Sequence, residues 1–416
     1  MNWLVPVSFA EAPFEIIDGD RGKNYPKQDE YHASGHCLFL SATNVTKSGF
    51  DFSTCQFIDE KKDAALNKGK LQREDIVLTT RGTIGNVAYF NDAVAFEHLR
   101  INSGMVILRC DRKKLLPAFL YHFLRSPDFY SQVNGLRSGV AQPQLPIRDM
   151  RQIRLPLPLR PVQRRIANIL SLYDELIENN QRRIRILEEV ARSLYREWFV
   201  HFRYPGHESV PLVDSSLGQI PQGWEVKKLS DIAAVNRAQI NARTAPAELH
   251  YIDIASVSPG QIDNITTYFF ADAPGRARRI VQHGDTIWSC VRPNRRSHAL
   301  VMQPEPNTIA STGFAVLTAT DVPFTFLYFA TTMDDFVAFL TNSATGSAYP
   351  AVTSKTFENA ELLVPSKSLL TKFGDITVPM AEQVHALQRQ TTNLRRTRDL
   401  LLPRLLTGQL ALDAAA

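Results

Sequence analysis

The sequence predicts an α+β fold built as an internal pseudo-two-fold repeat. Two globular α/β domains are each followed by a long helix, and the two helices pair as an antiparallel coiled coil. Three observations predict this. Segments of the two halves match at a constant offset, short β-rich runs recur in the same order in both, and each half ends in a heptad-spaced apolar seam. A chain of 416 residues also exceeds what one hydrophobic core usually organises.

The repeat is clearest from Gly139 onward, which matches the segment from Gly346 onward at an offset of 207 with no gap. Ala141 falls on Ala348, Pro143 on Pro350, Arg148 on Lys355, Leu155 on Leu362 and Pro158 on Pro365; further on, Leu187 meets Leu394 and Leu194 meets Leu401. Upstream the offset drifts by a few residues, as loop insertions would cause. "FLSATNV" (39–45) pairs with "YIDIASV" (251–257), "EDIVLTTRG" (74–82) with "GDTIWSCVRP" (284–293), and "INSGMVIL" (101–108) with "IASTGFAVL" (309–317). These short β-rich runs bounded by Gly, Asn, Asp or Pro read as strands and turns. Residues 1–158 and 224–365 are therefore the expected globular domains, of ordinary single-domain size.

The helical stretches, expected over 159–203 and 366–412, have a different pattern. In the first, Ile166, Leu170, Tyr173, Ile177, Asn180, Ile184, Leu187, Ala191, Leu194 and Trp198 alternate steps of four and three, with Asn180 the polar interruption. Pro161 suits a first helical turn. The second seam is Phe373, Thr377, Met380, Val384, Leu387, Thr391, Leu394, Arg398, Leu401 and Leu405. Pro379 lies within it, so a break is expected there and a firm helix only from about Met380, because an interior proline costs about 3 kcal/mol. A helix of about 40 residues runs about 60 Å, and a seam that long must be buried on something. The economical solution is for the two seams to bury each other. Residues 204–223, "YPGHESVPLVDSSLGQIPQG", supply the turn residues of a linker.

Composition narrows the function classes. With 44% hydrophobic and 21% charged residues the chain reads as globular, and a net charge of +5 permits a nucleic-acid partner without demanding one. Cys37, Cys55, Cys110 and Cys290 are scattered, which suggests neither a disulfide framework nor a metal knuckle. Residues 1–10 lack a basic start followed by an apolar run, and no stretch approaches the roughly 18 apolar residues of a membrane helix. A cytoplasmic protein is expected.

Two similar domains held apart by a rod fit a ligand that itself repeats, and the grooves of DNA recur each turn of about 34 Å. "GDRGKNYPK" puts Arg21, Lys23, Asn24, Tyr25 and Lys27 into one Gly-rich loop; Arg and Asn can contact base edges bidentately, while Lys and backbone amides hold phosphates. In the second domain "GRARR" and "VRPNRRS" concentrate Arg276, Arg278, Arg279, Arg292, Asn294, Arg295 and Arg296 on turn-rich segments. The first-domain equivalent of the second cluster is expected at Arg81, in "TTRGTIG". Ser138, Gln142 and Gln144 match Thr345, Ser347 and Tyr349 in the repeated Gly-containing loops, where base contact and loop architecture are both open.

Catalytic motifs are absent. There is no cofactor-binding glycine loop with an Asn/Asp-Pro-Pro-aromatic motif, no P-loop and no clustered carboxylates for a nuclease metal. Pro127-Asp128 reads as the N-terminal cap of a short helix, and His32, His36 and Cys37 lack a fourth metal ligand at a recognised spacing.

The chain resembles the specificity subunit of a Type I restriction-modification system along essentially its whole length. The residues that carry the resemblance are "RPVQRRIANILSLYDELIENNQRRIRILEEVARSLYREWF" (160–199), "LGQIPQGWEVKKLSDIA" (217–233) and "LLPRLLTGQL" (401–410). The resemblance implies two target-recognition domains, each reading one half of a bipartite double-stranded DNA site, with the helical spacers between them. It implies two modification subunits carrying S-adenosylmethionine that methylate adenine, and restriction subunits that use ATP and Mg, with no cofactor bound by this chain itself. "PSKSLLTKFGDITVPMAEQ" departs from the Gln-Arg-Arg-Ile-Ala pattern of the first spacer, which bears on the second modification-subunit contact. The competing expectations are a stand-alone DNA-binding or architectural protein without enzymatic partners, and a nuclease with an unfamiliar site.

Overall fold

The computed structural model describes residues 6–137 and 143–406, and the chain divides into two compact units. The first takes in residues up to 179 together with those from 391 onward; the second is residues 180–390.

In the first unit the apolar runs form a four-stranded antiparallel sheet in the order Phe14–Asp18, Met105–Cys110, Ile76–Thr79, Val87–Tyr89. Ile76–Thr79 is buried along its whole length, so it reads in sequence as a continuous apolar run rather than an alternating one. A second sheet orders Phe57–Ile58, Cys37–Leu40 and Leu99–Ile101, the last two strands being parallel. The second unit repeats this plan. Its antiparallel sheet runs Ala233–Val235, Phe314–Ala319, Thr286–Ser289, His298–Leu300. Its other sheet again holds one parallel pair, Glu248–Ile252 with Thr308–Ser311.

The equivalence reaches individual side chains. The Gln72 N–H donates to Asp75 at 2.7 Å and the Gln282 N–H to Asp285 at 2.8 Å, closing the same turn ahead of matching strands. The buried carboxylates then differ. Asp75 is paired with the Arg109 guanidinium at 2.7 Å, whereas Asp285 accepts from the Thr318 hydroxyl, and burial pushes its carboxyl up.

The first long helix spans Arg160–Tyr195, with Pro161 in its opening turn, and continues as one π-helical turn over Arg196–Val200. The second spans Lys367–Leu406 and passes through Pro379, against the expected break there. The physical reason is placement. Pro379 and Asp375, the residue whose carbonyl loses its helical donor, are both exposed, so water can take the freed bond, while Phe373, Thr377 and Leu387 are buried on the other face. Every described seam residue is buried or half-buried. Asn180 is buried too, and its amide donates to Gln390 at 3.1 Å.

Each unit draws core residues from both long helices. In the first, Ile166, Ala167 and Leu170 together with Leu402, Leu405 and Leu406 pack around Phe119, Phe123 and Phe129. Asp174 joins the same elements by charge, accepting from Arg125 at 2.6 Å and Arg398 at 2.5 Å. Burial opposes its ionisation, but the two guanidinium groups outweigh burial and hold the carboxyl below its usual range. In the second unit Tyr195, Trp198 and Phe199 meet Leu369, Leu370 and Phe373, the Phe199 ring lying 4.9 Å from Phe373 and 5.1 Å from Phe326.

Two smaller elements differ from expectation. The stretch 204–223 contains a hairpin, Leu212–Ser215 with Gly218–Pro221. The helix Pro127–Leu136 is capped by Ser126, whose hydroxyl accepts the Phe129 N–H at 3.1 Å, and Asp128 sits in its first turn. Among the described residues no helix is long and apolar enough to cross a membrane.

Two buried histidines make stability depend on pH. Burial drives His122, bonded to the Ser171 hydroxyl at 3.1 Å, down to about 4 despite the opposing pull of Asp174. Burial, helped by Arg192 and Arg296, does the same to His298 against the Trp288 ring. The unfolded chain, with histidines near 6.5, takes up protons that the folded chain refuses. Stability from this source is therefore complete above about pH 6.5 and is lost as pH falls toward 4, at up to about 1.4 kcal/mol per pH unit for each histidine. Thermal melting between pH 7 and 4.5 should show this fall, and the double substitution His122→Gln with His298→Gln should flatten it; an unchanged slope would refute the assignment.

Candidate nucleic-acid interface

In the first domain the Gly-rich loop is organised by Asp20, which accepts the N–H groups of Gly22 and Asn67, both at 2.7 Å. These bonds to the charged form, the Gly22 contact first, hold its carboxyl below the usual range. The loop sorts its residues into two kinds. Asn24 turns inward to donate to the Ala65 carbonyl at 2.9 Å, and the Tyr25 ring packs edge-on against Phe39 at 5.6 Å. These two are loop architecture. Lys23 and Lys27 are exposed. Arg21 is half-exposed and held by Asp18 at 3.2 Å and the Ser103 carbonyl at 3.3 Å, which leaves part of its guanidinium fork open.

Arg21 opens into a concavity of about 250 Å³ that Arg81 and Gln144 also line, together with Asp18, Thr80 and Ile147. Three of the residues predicted from separate segments thus share one surface. Arg81 and Gln144 face each other across an isolated antiparallel bridge, and neither side chain has a hydrogen-bond or ion-pair partner among the described residues. Ser138 and Gln142 lie outside the described residues.

The second domain divides its arginines. Arg276 pairs with Asp253 at 3.2 Å, Arg278 lies over the Phe270 ring at 5.3 Å, and the Arg279 Nε is buried without a partner among the described residues. The other cluster forms a distinct surface. The Arg292 guanidinium stacks on Tyr349 at 4.7 Å and donates to the Ala348 carbonyl at 3.3 Å, while Tyr349 as a residue is 70% exposed. Thr345 anchors that loop through paired backbone bonds to Ala351, each 2.9 Å, and Ser347 is exposed. Arg296 is tied to Asp334 at 2.6 Å, and Asn294 and Arg295 face solvent.

Arg292 and Arg296 both adopt left-handed backbone, with φ of 51° and 55°. That is uncommon for side-chain-bearing residues and clusters where function exploits strain. The bridge opposite Arg81–Gln144 in the repeat is Val291–Ala351, so Arg81 corresponds to Val291 and not to the arginine cluster, and Gln144 corresponds to Ala351 and not to Tyr349 as the loop match had it. Arg292 instead takes the place of Gly82, which has a φ of 71°.

Sequence reasoning missed Asp18, Asp20, Asp253 and Asp334. Only Asp20 had a local signal, since an aspartate two residues before a glycine favours an Asx turn. His36 lies 3.4 Å from Asp63, which also binds Lys70 and Arg100, and its ring is 4.4 Å from His98; among the described residues no group of His, Cys, Asp or Glu is placed to hold a metal.

Residues 14–189 match the model of the Type I restriction modification DNA specificity domain. The chain is similar to the MjaIX specificity subunit of a Type I restriction enzyme from Methanocaldococcus jannaschii, at 25% identity over 346 residues, covering 81% of this chain and 78% of that one. It is also similar to the HindI specificity subunit of Haemophilus influenzae, at 20% identity over 94% of this chain and 98% of that one. In fold it is similar to the S subunit of a Type I restriction-modification system from M. genitalium, with a TM-score of 0.62 and 16% identity across 97% and 96% of the two chains.

Arg295 is exposed, and its side chain has no hydrogen-bond or ion-pair partner among the described residues. Arg295→Ala should leave the melting temperature unchanged and reduce the slope of log affinity against log salt on duplex DNA by about one, the signature of a lost phosphate contact. An unchanged slope would remove Arg295 from the interface.

Proposed function

Because the chain belongs to the specificity subunits of Type I restriction-modification systems, we propose that it reads a bipartite DNA target and directs adenine methylation and restriction by partner subunits, without an active site of its own. The observation that carries this reading is the repetition of one strand order in both units, each presenting candidate DNA-contacting side chains around the same bridged turn. Two like reading heads match two half-sites.

In this reading residues 1–158 and 224–365 are the target-recognition domains, 159–203 and 366–412 the helical spacers, and 204–223 the linker. The spacers pair as an antiparallel coiled coil. Support comes from two contacts along which the numbering rises on one helix and falls on the other, Asp174 with Arg398 at 2.5 Å and Asn180 with Gln390 at 3.1 Å. The half-sites then lie about one helical turn of 10–10.5 bp apart. Two modification subunits supply S-adenosylmethionine, and restriction subunits supply ATP and Mg chemistry, in the cytoplasm.

Leu187→Asp would bury an unpaired charge in the seam and should abolish co-purification with a modification subunit; retained assembly and activity would count against paired spacers. The function itself is tested by methylation mapping of DNA from cells expressing this chain with a matching modification subunit. Methylated adenines at one split motif, appearing only with both proteins, are expected. No new methylation despite a verified complex would overturn the reading.

A further inference from the structure

We infer that the bridged pair in each domain, Arg81 with Gln144 and Val291 with Ala351, is a base-reading position, and that the two domains read with opposite chemistry. Arg81 and Gln144 read the edge of a purine, guanine above all. Val291 and Ala351 meet the methyl group of thymine. The inference rests on the reading of the chain as a DNA-specificity subunit.

The backbone around the two bridges is the same. The Thr80 N–H donates to Gly104 at 2.8 Å and the Leu145 N–H to Thr80 at 2.9 Å; in the repeat the Cys290 N–H donates to Gly313 at 2.8 Å and the Val352 N–H to Cys290 at 2.9 Å. The strands that lead in, Ile76–Thr79 and Thr286–Ser289, are wholly buried. A rigid and repeated scaffold thus ends in two side chains whose chemistry is free to differ. They do differ, as an arginine and an amide on one side and two small apolar groups on the other.

Exposure and charge fit this role. Arg81 and Gln144 are exposed at the rim of the concavity, and Val291 and Ala351 are half-exposed. Asp18, the carboxylate in that concavity, is engaged by Arg21 at 3.2 Å, and among the described residues the Arg81 donors have no partner. A guanidinium matches the O6 and N7 acceptors of guanine as a fork, and a glutamine amide matches the N7 acceptor and N6 donor of adenine. Val291 and Ala351 offer no donor or acceptor through their side chains. The thymine methyl is the major-groove feature such a surface can bury without stripping water from a polar edge.

The test is methylation mapping of the full complex with the wild-type chain, Arg81→Lys, and the double substitution Arg81→Val with Gln144→Ala. In the double substitution one G·C pair in one half-site should lose its preference by about 5- to 150-fold, and in Arg81→Lys, which keeps the charge but loses the planar fork, the same pair should lose it by a smaller factor, with the other half-site and the spacing unchanged. Arg81→Lys keeps the charge and the exposed position, so it separates base reading from phosphate contact and from misfolding. Conversely, Val291→Arg with Ala351→Gln should relax a single A·T pair in the other half-site. An unchanged motif with uniformly weaker methylation in the Arg81 variants would make Arg81 a phosphate contact and overturn the inference. A change in both half-sites would do the same. Absence of any split motif with the wild-type chain would instead remove the reading on which the inference stands.

Discussion

Neither globular core is complete without the ends of both long helices. The first core, built around Phe119, Phe123 and Phe129, is closed by Leu402, Leu405 and Leu406 from the far end of the sequence. The second, built around Phe326, needs Phe199 from one helix and Phe373 from the other. Joining such distant segments costs little more than joining near ones, since each doubling of loop length adds only about 0.6 kcal/mol. Burying one leucine returns about 1.5–3 kcal/mol. Closure from a distance is therefore favoured, provided that each helix runs unbroken from one end to the other.

That condition explains why Pro379 is tolerated. An interior proline costs about 3 kcal/mol, but a break there would detach Phe373 from the residues that follow it, on a helix whose two ends both serve as core. Asp174 shows the same requirement in polar form. It holds Arg125 from the globular part and Arg398 from the second helix, and losing either would leave a poorly solvated charge without its partner. The second unit joins one globular helix to the second long helix with neutral groups, the Thr325 and Thr377 hydroxyls bonded at 2.7 Å.

The sequence carried the repeat, the strand runs and both seams, because periods of two and of three-and-a-half are local signals that burial imposes directly. The path through Pro379 was not legible, since it is decided by which face of the helix is buried and by how much. The site was legible as residue types and not as a constellation. Arg21, Asn24 and Tyr25 are near neighbours in one polar loop, and nothing local distinguishes the first, which opens into the concavity, from the other two, which brace the loop. Arg21, Arg81 and Gln144 come from three segments that only the sheet brings together. The match of Arg81 to the arginine cluster that begins at Arg292 failed by one residue, because clusters of like residues attract an alignment that backbone hydrogen bonds do not support.

That single-residue shift bears on how the second domain presents its surface. At the position of Gly82 the backbone is left-handed, a conformation glycine adopts freely and other residues adopt at about 1–2 kcal/mol. Arg292 occupies it nonetheless, and its guanidinium is fixed in two ways, by the Tyr349 ring beneath it and by the Ala348 carbonyl. Both holds come from the loop that the Thr345–Ala351 bonds close, so the strained arginine and the exposed tyrosine stand or fall as one surface. Arginine retains donors beyond the one given to Ala348, and a guanidinium already ordered on an aromatic face loses less freedom when it takes up a further acceptor. The strain is thus placed where it presents a cation in a fixed direction, which a glycine at the same position could not do.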